Sequence, residues 1–220
     1  MPTFRIDGHP PAEVYKLLVS AVVPRPIAWV STLSEEGIAN LAPYSFFNVA
    51  SIDPPVLMFA PQMAPTSTQG QPDGGARTKD TLANLRATRE CVVHVVPHAL
   101  ADAMNQTSAA WPADTSEFEA CGLTPVPSEG VAPPRVAEAP VAFEAVLDRI
   151  VSFGNGPRAG QAVFVRIALA HLADEATANG RYADTHLLDP VGRLGGTGYV
   201  RVKDGVFDLE RPSLEVRSEK

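Results

Sequence analysis

Short apolar runs separated by turn residues occupy most of the chain, and this pattern indicates strands more often than helices. The runs rich in β-branched and aromatic side chains are residues 27–33, 38–42, 47–52, 56–60, 91–96, 141–153, 161–173 and 199–202. Residues 34–37 end in glycine and predict a hairpin, while the glycine-rich residues 154–160 join the two longest runs as an antiparallel pair. Many short strands with few helices predict a mainly β barrel rather than a parallel α/β sheet.

Helical spacing is confined to a few segments. Residues 10–21 place three aliphatic side chains on one face, after a proline pair that suits a helix start. Leu82 and Leu85 predict a second helix, with Thr78 or Asp80 as its N-cap. This helix precedes an apolar strand, so we expect it to pack on the barrel.

The remaining segments lack a clear period. Residues 99–106 and 116–120 predict short helical pieces. Residues 62–77, rich in Pro, Gly, Ser, Thr and Gln, predict a mobile loop, and residues 125–140 are proline-rich and predict an extended segment. The tail from residue 211 onward is expected to fray.

The composition fits a single domain over residues 1–220, with its core at about 20–203 and a C-terminal tail after it. The chain has 220 residues, 45% of them hydrophobic and 20% charged. A formal charge of -7 and the lack of Lys and Arg clusters argue against nucleic acid as a partner. No apolar run approaches the roughly 18 residues of a membrane helix, and no signal-peptide pattern opens the chain, so we expect a cytoplasmic protein without a membrane partner.

Cysteine and histidine patterns give no sign of metal or hydrolytic chemistry. The two cysteines, Cys91 and Cys121, form no Cys-x-x-Cys pair and are expected to be free thiols. The five histidines lack the spacing of a metal site, and no hydrolase motif occurs. We predict no metal.

Two short polar segments are candidates for ligand binding. Lys79, Asp80 and Thr81, here called the phosphate anchor, open a predicted helix, where free N–H groups, the positive helix end and a hydroxyl suit an anion. An ordinary N-cap with a solvated lysine is the alternative. Ser31 and Thr32 lie in an apolar strand, where a buried hydroxyl needs a partner: a ligand, or simply neighbouring backbone. Asn40 is interpreted as a turn residue.

Four segments, in this order, carry a resemblance to a known family. They are residues 25–32, residues 40–48 with Asp53-Pro54-Pro55, the phosphate anchor, and residues 193–196 with Tyr199. Together they resemble the flavin reductase-like, FMN-binding split-barrel family, in its flavoredoxin-like branch. The resemblance covers about residues 23–202. It implies a six-stranded antiparallel Greek-key split barrel with a few peripheral helices, a homodimer, and FMN near the subunit interface, with FAD less expected.

The resemblance also implies which residues contact the cofactor. Residues 42–48, here called the ring wall, mix aromatic side chains with polar ones, which suits a flavin ring with flat apolar faces and a polar edge. At least one of Phe46 and Phe47 is expected in the core. The expected cofactor-binding residues are Ser31, Thr32, Ala42, Pro43, Tyr44, Ser45, Phe46, Asn48, Lys79, Asp80, Thr81, Arg193 and Tyr199. No catalytic residue is singled out, because a flavin carries the chemistry itself.

Residues 192–199 are glycine-rich but do not fit a dinucleotide fingerprint. They follow no predicted strand, open no predicted helix and lack the spaced acidic residue of that motif. We predict a flexible loop in which Arg193 and Tyr199 cover the flavin ring or contact an electron donor, and a solvated loop is the alternative.

The implied function is that of an NAD(P)H-dependent flavin reductase-type oxidoreductase, which delivers electrons through flavin N5 to oxygen, a ferric complex or a partner monooxygenase. Asn155 and Gly156 stand where two-component reductases of the family carry Asp and His after a glycine. This departure keeps a non-enzymatic FMN-binding electron carrier open as the alternative, serving a protein partner. A split barrel for another ligand, such as pyridoxine phosphate or haem, is a third possibility. The sequence leaves open whether FMN is a bound cofactor or a substrate, and whether residues 62–77 close over it.

Overall fold

A curled antiparallel sheet of seven strands forms the body of the fold in the computed structural model, which describes residues 1, 3–65 and 76–212. The strands are β1 (Ala28–Leu33), β2 (Ala39–Tyr44), β3 (Phe47–Ser51), β4 (Val56–Phe59), β5 (Glu90–Val95), β6 (Val141–Ser152) and β7 (Gln161–Leu172). Their order is β2-β1-β5-β6-β7-β4-β3. The mainly β prediction is confirmed, with seven strands instead of the six expected.

The two edges of this sheet are consecutive in sequence. Strand β2 pairs with β1 alone and β3 pairs with β4 alone, and only Ser45 and Phe46 separate the two edge strands. The sheet therefore curls until its edges approach at this link, which is part of the predicted ring wall. Pro43 lies within β2, opposite Trp29. An edge strand tolerates proline because the missing N–H is not needed for a second neighbour.

Five α-helices lie around the sheet in the described part of the chain. They are α1 (Pro11–Ala21), α2 (Asp80–Thr88), α3 (Ala101–Gln106), α4 (Glu117–Ala120) and α5 (Thr185–Leu188). The N-cap prediction for α2 was wrong: Lys79 occupies that position without a side-chain cap, and Asp80 is the first helical residue. No helix in the described ranges has both the length and the apolar character of a membrane span.

A small hairpin replaces the flexible loop that was predicted for residues 192–199. Strands β8 (Val191–Arg193) and β9 (Tyr199–Arg201) pair with each other. The Arg25 N–H donates to the Arg193 carbonyl at 2.9 Å, and the Arg193 N–H donates to the Arg25 carbonyl at 2.8 Å. The sequence did not predict β8, because glycine-rich residues are typical of a loop. The strand is ordered by its pairing with the backbone of Arg25, which is distant in sequence.

Two shorter strand pairs lie outside the seven-stranded sheet. Ala64–Pro65 pairs with Ala76–Arg77, and Pro125–Val126 pairs with Arg135–Val136. The predicted loop at 62–77 falls largely outside the described residues, although Gln62 forms a bridge with Gly160. Most of the tail predicted to fray also lies outside them.

Alternate residues of β1 enter two different hydrophobic clusters. Ala28 and Val30 pack with the α2 residues Leu82 and Leu85 inside the barrel. Ile27 and Trp29 pack on the other face, with Met104 of α3 and Phe118 of α4. Helix α1 contributes little to either cluster, since Val19 is its one buried residue. The predicted helix is confirmed, but much of its aliphatic face is exposed.

Candidate functional site

A directed chain of hydrogen bonds connects the ring wall with the phosphate anchor. Tyr44 at the end of β2 donates its hydroxyl hydrogen to Oγ1 of Thr81, at 2.8 Å. Thr81 in turn donates to Oδ1 of Asn40, at 2.7 Å. The Asn40 amide then donates to Oε1 of Glu117, at 2.9 Å. The chain thus runs from the split of the sheet, past the start of α2, to α4.

Two further groups fix Asn40 and Glu117 in place. Thr32 of β1 donates to Oδ1 of Asn40 at 3.3 Å and accepts a hydrogen bond from the Asn84 amide at 3.1 Å. The Leu41 backbone N–H donates to Oε2 of Glu117 at 2.8 Å. Both Glu117 oxygens are therefore occupied by protein donors.

Sequence reasoning missed three members of this network. Asn40 was interpreted as a turn residue, which was wrong, since it lies within β2 opposite Thr32. Asn84 and Glu117 drew no attention because the residues that bind them are distant in sequence. The hairpin register offered one usable signal: it places Asn40 and Tyr44 on the same face of β2.

Burial controls the protonation of the network. The pKa of Glu117 is raised by burial, against hydrogen bonds from Leu41 and Asn40 that favour the carboxylate. The pKa of Tyr44 is also raised, mainly because its phenol is buried, while the hydrogen bond with Thr81 acts in the opposite direction. Tyr44 therefore acts as a neutral hydrogen-bond donor at physiological pH.

Lys79 is the exposed member of the phosphate anchor. Its ammonium lies 5.5 Å from the centre of the Tyr44 ring, and partial burial of that group lowers its pKa. The Lys79 carbonyl accepts hydrogen bonds from the Leu82 and Ala83 N–H groups, which is the usual opening of a helix. A cation at the positive end of α2 suits a phosphate. The Thr81 hydroxyl, by contrast, already donates within the protein.

The ring wall lines the split between the sheet edges. Ala42, Ser45 and Phe46 are half-buried, and Asn48 is exposed, with its Oδ1 accepting a hydrogen bond from the next backbone N–H. Tyr44 stacks on Phe59 with ring centres 5.4 Å apart. The expectation that at least one of the two phenylalanines belongs to the core is met by Phe47, which packs against the barrel cluster. The wall thus combines aromatic surface with the free backbone edge of β3.

Ser31 and Thr32 face opposite sides of β1. Thr32 points to the network and α2, whereas Ser31 follows Trp29 on the other face. The Ser31 hydroxyl is fully buried and has no hydrogen-bond partner among the described residues. These two hydroxyls therefore cannot contact one ligand from the same side of the strand.

Arg193 and Tyr199 lie together in the β8–β9 hairpin. The Arg193 guanidinium is 4.3 Å from the Tyr199 ring centre and donates to the Gly196 carbonyl at 2.6 Å. The Tyr199 hydroxyl donates to Asn105 of α3 at 3.3 Å. These contacts place the pair beside α3, and none of them reaches the phosphate anchor.

A polar cavity of about 160 Å³ lies next to the network. Its lining residues include Asn40, Asn84 and the acidic residues Glu36, Asp80 and Glu117. These acidic walls disfavour a phosphate. Within the described residues, no group of three or more His, Cys, Asp and Glu side chains has a metal-binding arrangement.

Comparisons with known proteins agree with this geometry. The protein-family model described as flavin reductase like domain matches residues 20–186 of this chain. The uncharacterised protein YwrF of Bacillus subtilis is 38% identical over 213 residues, which cover 96% of this chain and 98% of that protein. Nitrilotriacetate monooxygenase component B from Bacillus cereus has a TM-score of 0.85 at 32% identity, over 95% of this chain and 98% of that chain. The 2-nitrobenzoate 2-nitroreductase NbaA of Pseudomonas fluorescens has a TM-score of 0.79 at 30% identity, over 100% of this chain and 99% of that chain.

Proposed function

Because this chain belongs to the flavin reductase-like family, we propose that it is an FMN-binding oxidoreductase that takes electrons from NAD(P)H. FMN, when bound, supplies the N5 atom that accepts and passes on hydride. The protein's own part is to hold the phosphate, orient the ring and control what approaches it. We propose FMN rather than FAD because one lysine at one helix start suits a single terminal phosphate.

The observation that carries this proposal is the position of Tyr44. This residue lies inside the ring wall, yet its hydroxyl is bonded to Thr81 and its ring lies under the Lys79 ammonium. A molecule with a flat ring and a phosphate could therefore contact the split of the sheet and the start of α2 together. A ribityl chain provides that kind of connection in FMN.

Each proposed contact has a chemical reason. Lys79 and the positive end of α2 would hold the phosphate. Ser45, Asn48 and the free backbone edge of β3 would supply donors and acceptors for the polar rim of the ring, and Phe46 would pack on its apolar part. The hairpin with Arg193 and Tyr199 would act further out, on the electron donor or acceptor.

The similar structures suggest two kinds of electron acceptor. One is named as a component of a monooxygenase, which is consistent with a partner oxygenase for this chain as well. The other is named as a nitroreductase, which is consistent with a small-molecule acceptor. The proposed assembly is a homodimer with the flavin near the interface between subunits.

The alternative is an FMN-binding electron carrier that serves a protein partner without using a nicotinamide. The sequence Asn155-Gly156 favours it, because these residues replace the Asp and His expected for nicotinamide use. They lie in the turn between β6 and β7.

Anaerobic mixing separates the two functions. The purified protein is first checked for a yellow colour and FMN content, then loaded with FMN and mixed with NADH or NADPH. Rapid, saturable loss of the visible flavin absorption is expected for the reductase. Reduction by a protein partner alone would favour the carrier, and colourless protein that does not take up FMN would exclude both.

Replacing the anchor lysine tests the phosphate contact. Lys79→Ala should weaken FMN binding about tenfold, because one charge-assisted contact is lost, and should leave riboflavin binding unchanged. Arg86→Ala on the exposed side of the same helix is the matched control. Dissociation constants from flavin fluorescence quenching give the comparison, and equal affinity of Lys79→Ala and wild type for FMN would contradict the anchor.

A further inference from the structure

The buried guanidinium of Arg25 joins the end of helix α1 to the β8–β9 hairpin. Its Nη1 donates to the Val19 and Val22 carbonyls at the end of α1, at 2.8 and 2.7 Å, and its Nη2 donates to the Leu194 carbonyl at 2.9 Å. The last carbonyls of a helix have no partner within it, and a cation there also suits the negative end of the helix. One fork-shaped side chain therefore connects two elements that are distant in sequence.

The hairpin lies directly against the end of α1. A Cβ atom at Gly195 would lie 3.4 Å from the Cα atom of Ser20, and a Cβ atom at Gly192 would lie 2.9 Å from the Cβ atom of Pro24. Glycine at these two positions lets the hairpin come close enough for its tip to contact Arg25. The Arg25 guanidinium, which belongs to a residue only 6% exposed, thus lies where the two elements meet.

The same hairpin tip determines where the Arg193 side chain lies. The Arg193 guanidinium donates to the Gly196 carbonyl at 2.6 Å and lies 4.3 Å from the centre of the Tyr199 ring. Arg193 is half-buried and Tyr199 is exposed, so a ligand could contact both. Because Arg25 holds the carbonyl of Leu194, the residue next to Arg193, it acts on this pair without touching a ligand itself.

Two positive charges lie close together at this corner. Burial lowers the pKa of Arg25, the Tyr15 phenol acts to raise it, and the positive charge of Arg193 acts to lower it. Among the residues that the structure describes, neither guanidinium forms an ion pair with a carboxylate. An arginine fork beside an aromatic ring, without a competing carboxylate, suits an anion such as the pyrophosphate of a nicotinamide dinucleotide.

Stability alone does not account for the burial of Arg25. Its Nε is buried without a hydrogen-bond partner in the described part of the chain, and such a group is unfavourable for folding. Resting on the proposed function, we infer that Arg25 is a positioning residue: it holds the hairpin tip so that Arg193, stacked on Tyr199, receives the pyrophosphate of NADH or NADPH. A dinucleotide is long, so its phosphates can bind away from the ring that delivers hydride.

Anaerobic reduction of the FMN-loaded protein at increasing concentrations of NADH or NADPH tests this role. Arg25→Lys keeps the charge, but one ammonium cannot bond to α1 and to the hairpin tip together. The donor concentration for half-maximal reduction should therefore rise about fivefold, while the limiting rate and the affinity for FMN stay those of wild type. Arg89→Lys is the matched control, because Arg89 also donates to a backbone carbonyl, that of Leu147, at 2.7 Å. It should reduce as wild type does.

A double variant separates positioning from a general weakening of the protein. Arg193→Ala should raise the half-maximal donor concentration about tenfold, because a charge-assisted contact is lost. Since Arg25 acts through Arg193, adding Arg25→Lys to Arg193→Ala should cause no further rise. If the two increases multiply in the double variant, the inference is overturned.

Hydrogen exchange in the flavin-free protein measures the order of the tip directly. The Leu194 N–H donates to the Gly198 carbonyl at 3.0 Å, and the Gly198 N–H donates to the Gly195 carbonyl at 3.1 Å. Both amides should exchange about tenfold faster in Arg25→Lys and at the wild-type rate in Arg89→Lys. Wild-type exchange at both amides in Arg25→Lys overturns the positioning role.

The two levels of the argument fail in different ways. If neither NADH nor NADPH reduces the wild-type protein, the proposed function fails. If wild type is reduced, and Arg25→Lys reaches half-maximal reduction at the wild-type donor concentration, the inference alone fails.

Discussion

At the scale of single residues, the sequence indicated which residue types suit a ligand better than it indicated which residues contact one another. Lys79 and Tyr44 were expected at the cofactor and lie in contact with each other. Asn40 and Glu117 were not expected, because nothing in their local sequence distinguishes a buried polar group with partners from an ordinary surface one. The same holds for His94, which is fully buried between two backbone groups.

His94 makes the stability of the protein depend on pH. Its Nδ1 donates to the Trp29 carbonyl at 2.9 Å, and its Nε2 accepts from the Val136 N–H at 3.0 Å, so the ring is held neutral. Burial lowers the pKa of His94 to about 4, despite the hydrogen bond to Trp29, which acts to raise it.

Because the unfolded chain binds a proton at His94 near its ordinary pKa of 6.5 and the folded protein does not, the free energy of unfolding should fall as pH decreases below that value. The expected loss from this residue is about 2 kcal/mol between pH 7 and pH 5. Urea unfolding of wild type and His94→Gln at both pH values gives the part of this loss that is due to His94. His98→Gln, at an exposed histidine, is the control and should keep the wild-type pH dependence of the free energy of unfolding. If His94→Gln shows the same pH dependence as wild type, the assignment to His94 is contradicted.

At the scale of elements, local pattern predicted most helices and strands, while distant contacts ordered the segments between them. The proline-rich segment 125–140 is an example. Its residues Glu129 and Gly130 donate their N–H groups to Glu144 of β6, at 2.9 and 2.6 Å, and His171 of β7 donates to the same carboxylate at 2.7 Å. The buried Glu144 carboxylate thus fastens this segment to the sheet at Glu129 and Gly130, while Ala132 and Val136 bond to Glu90 and His94 of β5.

Removing the charge of Glu144 should loosen that segment at Glu129 and Gly130, although its bonds to Glu90 and His94 remain. Burial alone would raise the pKa of Glu144, but hydrogen bonds from Glu129, His171 and Gly130 outweigh it, and the pKa is lowered. Its contribution to stability is therefore present above the ordinary pKa of 4.5 and is lost as pH falls through the lower, folded value.

Glu144→Gln should reduce the free energy of unfolding by about 2 kcal/mol at pH 7, because a neutral amide oxygen binds these donors less strongly and its NH₂ group meets other donors. Hydrogen exchange at the Glu129 and Gly130 amides should become faster. The exposed Glu138→Gln, which loses one carboxylate contact to the Thr124 N–H, is the matched comparison. Wild-type exchange at both amides in Glu144→Gln would rule out this fastening.

At the scale of the whole molecule, helix α1 and the edge strand β3 are among the described elements that expose large apolar side chains. Leu18 of α1 is 50% exposed, and Val49 of the edge strand β3 is 62% exposed. Exposed apolar surface of this kind often marks an interface. We place the interface of the proposed homodimer on the β3 surface, because this strand continues directly from the ring wall.

Introducing a carboxylate on one surface at a time tests which of the two forms the proposed interface. Val49→Asp should give a monomer and weaken FMN binding, since a carboxylate would be buried without a partner in the interface. Leu18→Asp should remain a dimer with wild-type affinity for FMN. Light-scattering mass and flavin titration give both values, and a monomer from Leu18→Asp alone would move the interface to α1.

The sequence by itself determined the mainly β fold, the helices and the residue types suited to a flavin, because local period, turn chemistry and a run of family motifs report on neighbouring residues. The tertiary structure decided which of those residues share a site. It separated Ser31 from Thr32 on opposite faces of β1 and brought Glu117 to Asn40 across 77 positions of sequence. Partners so distant are chosen by sheet curvature and packing, which depend on the whole chain at once.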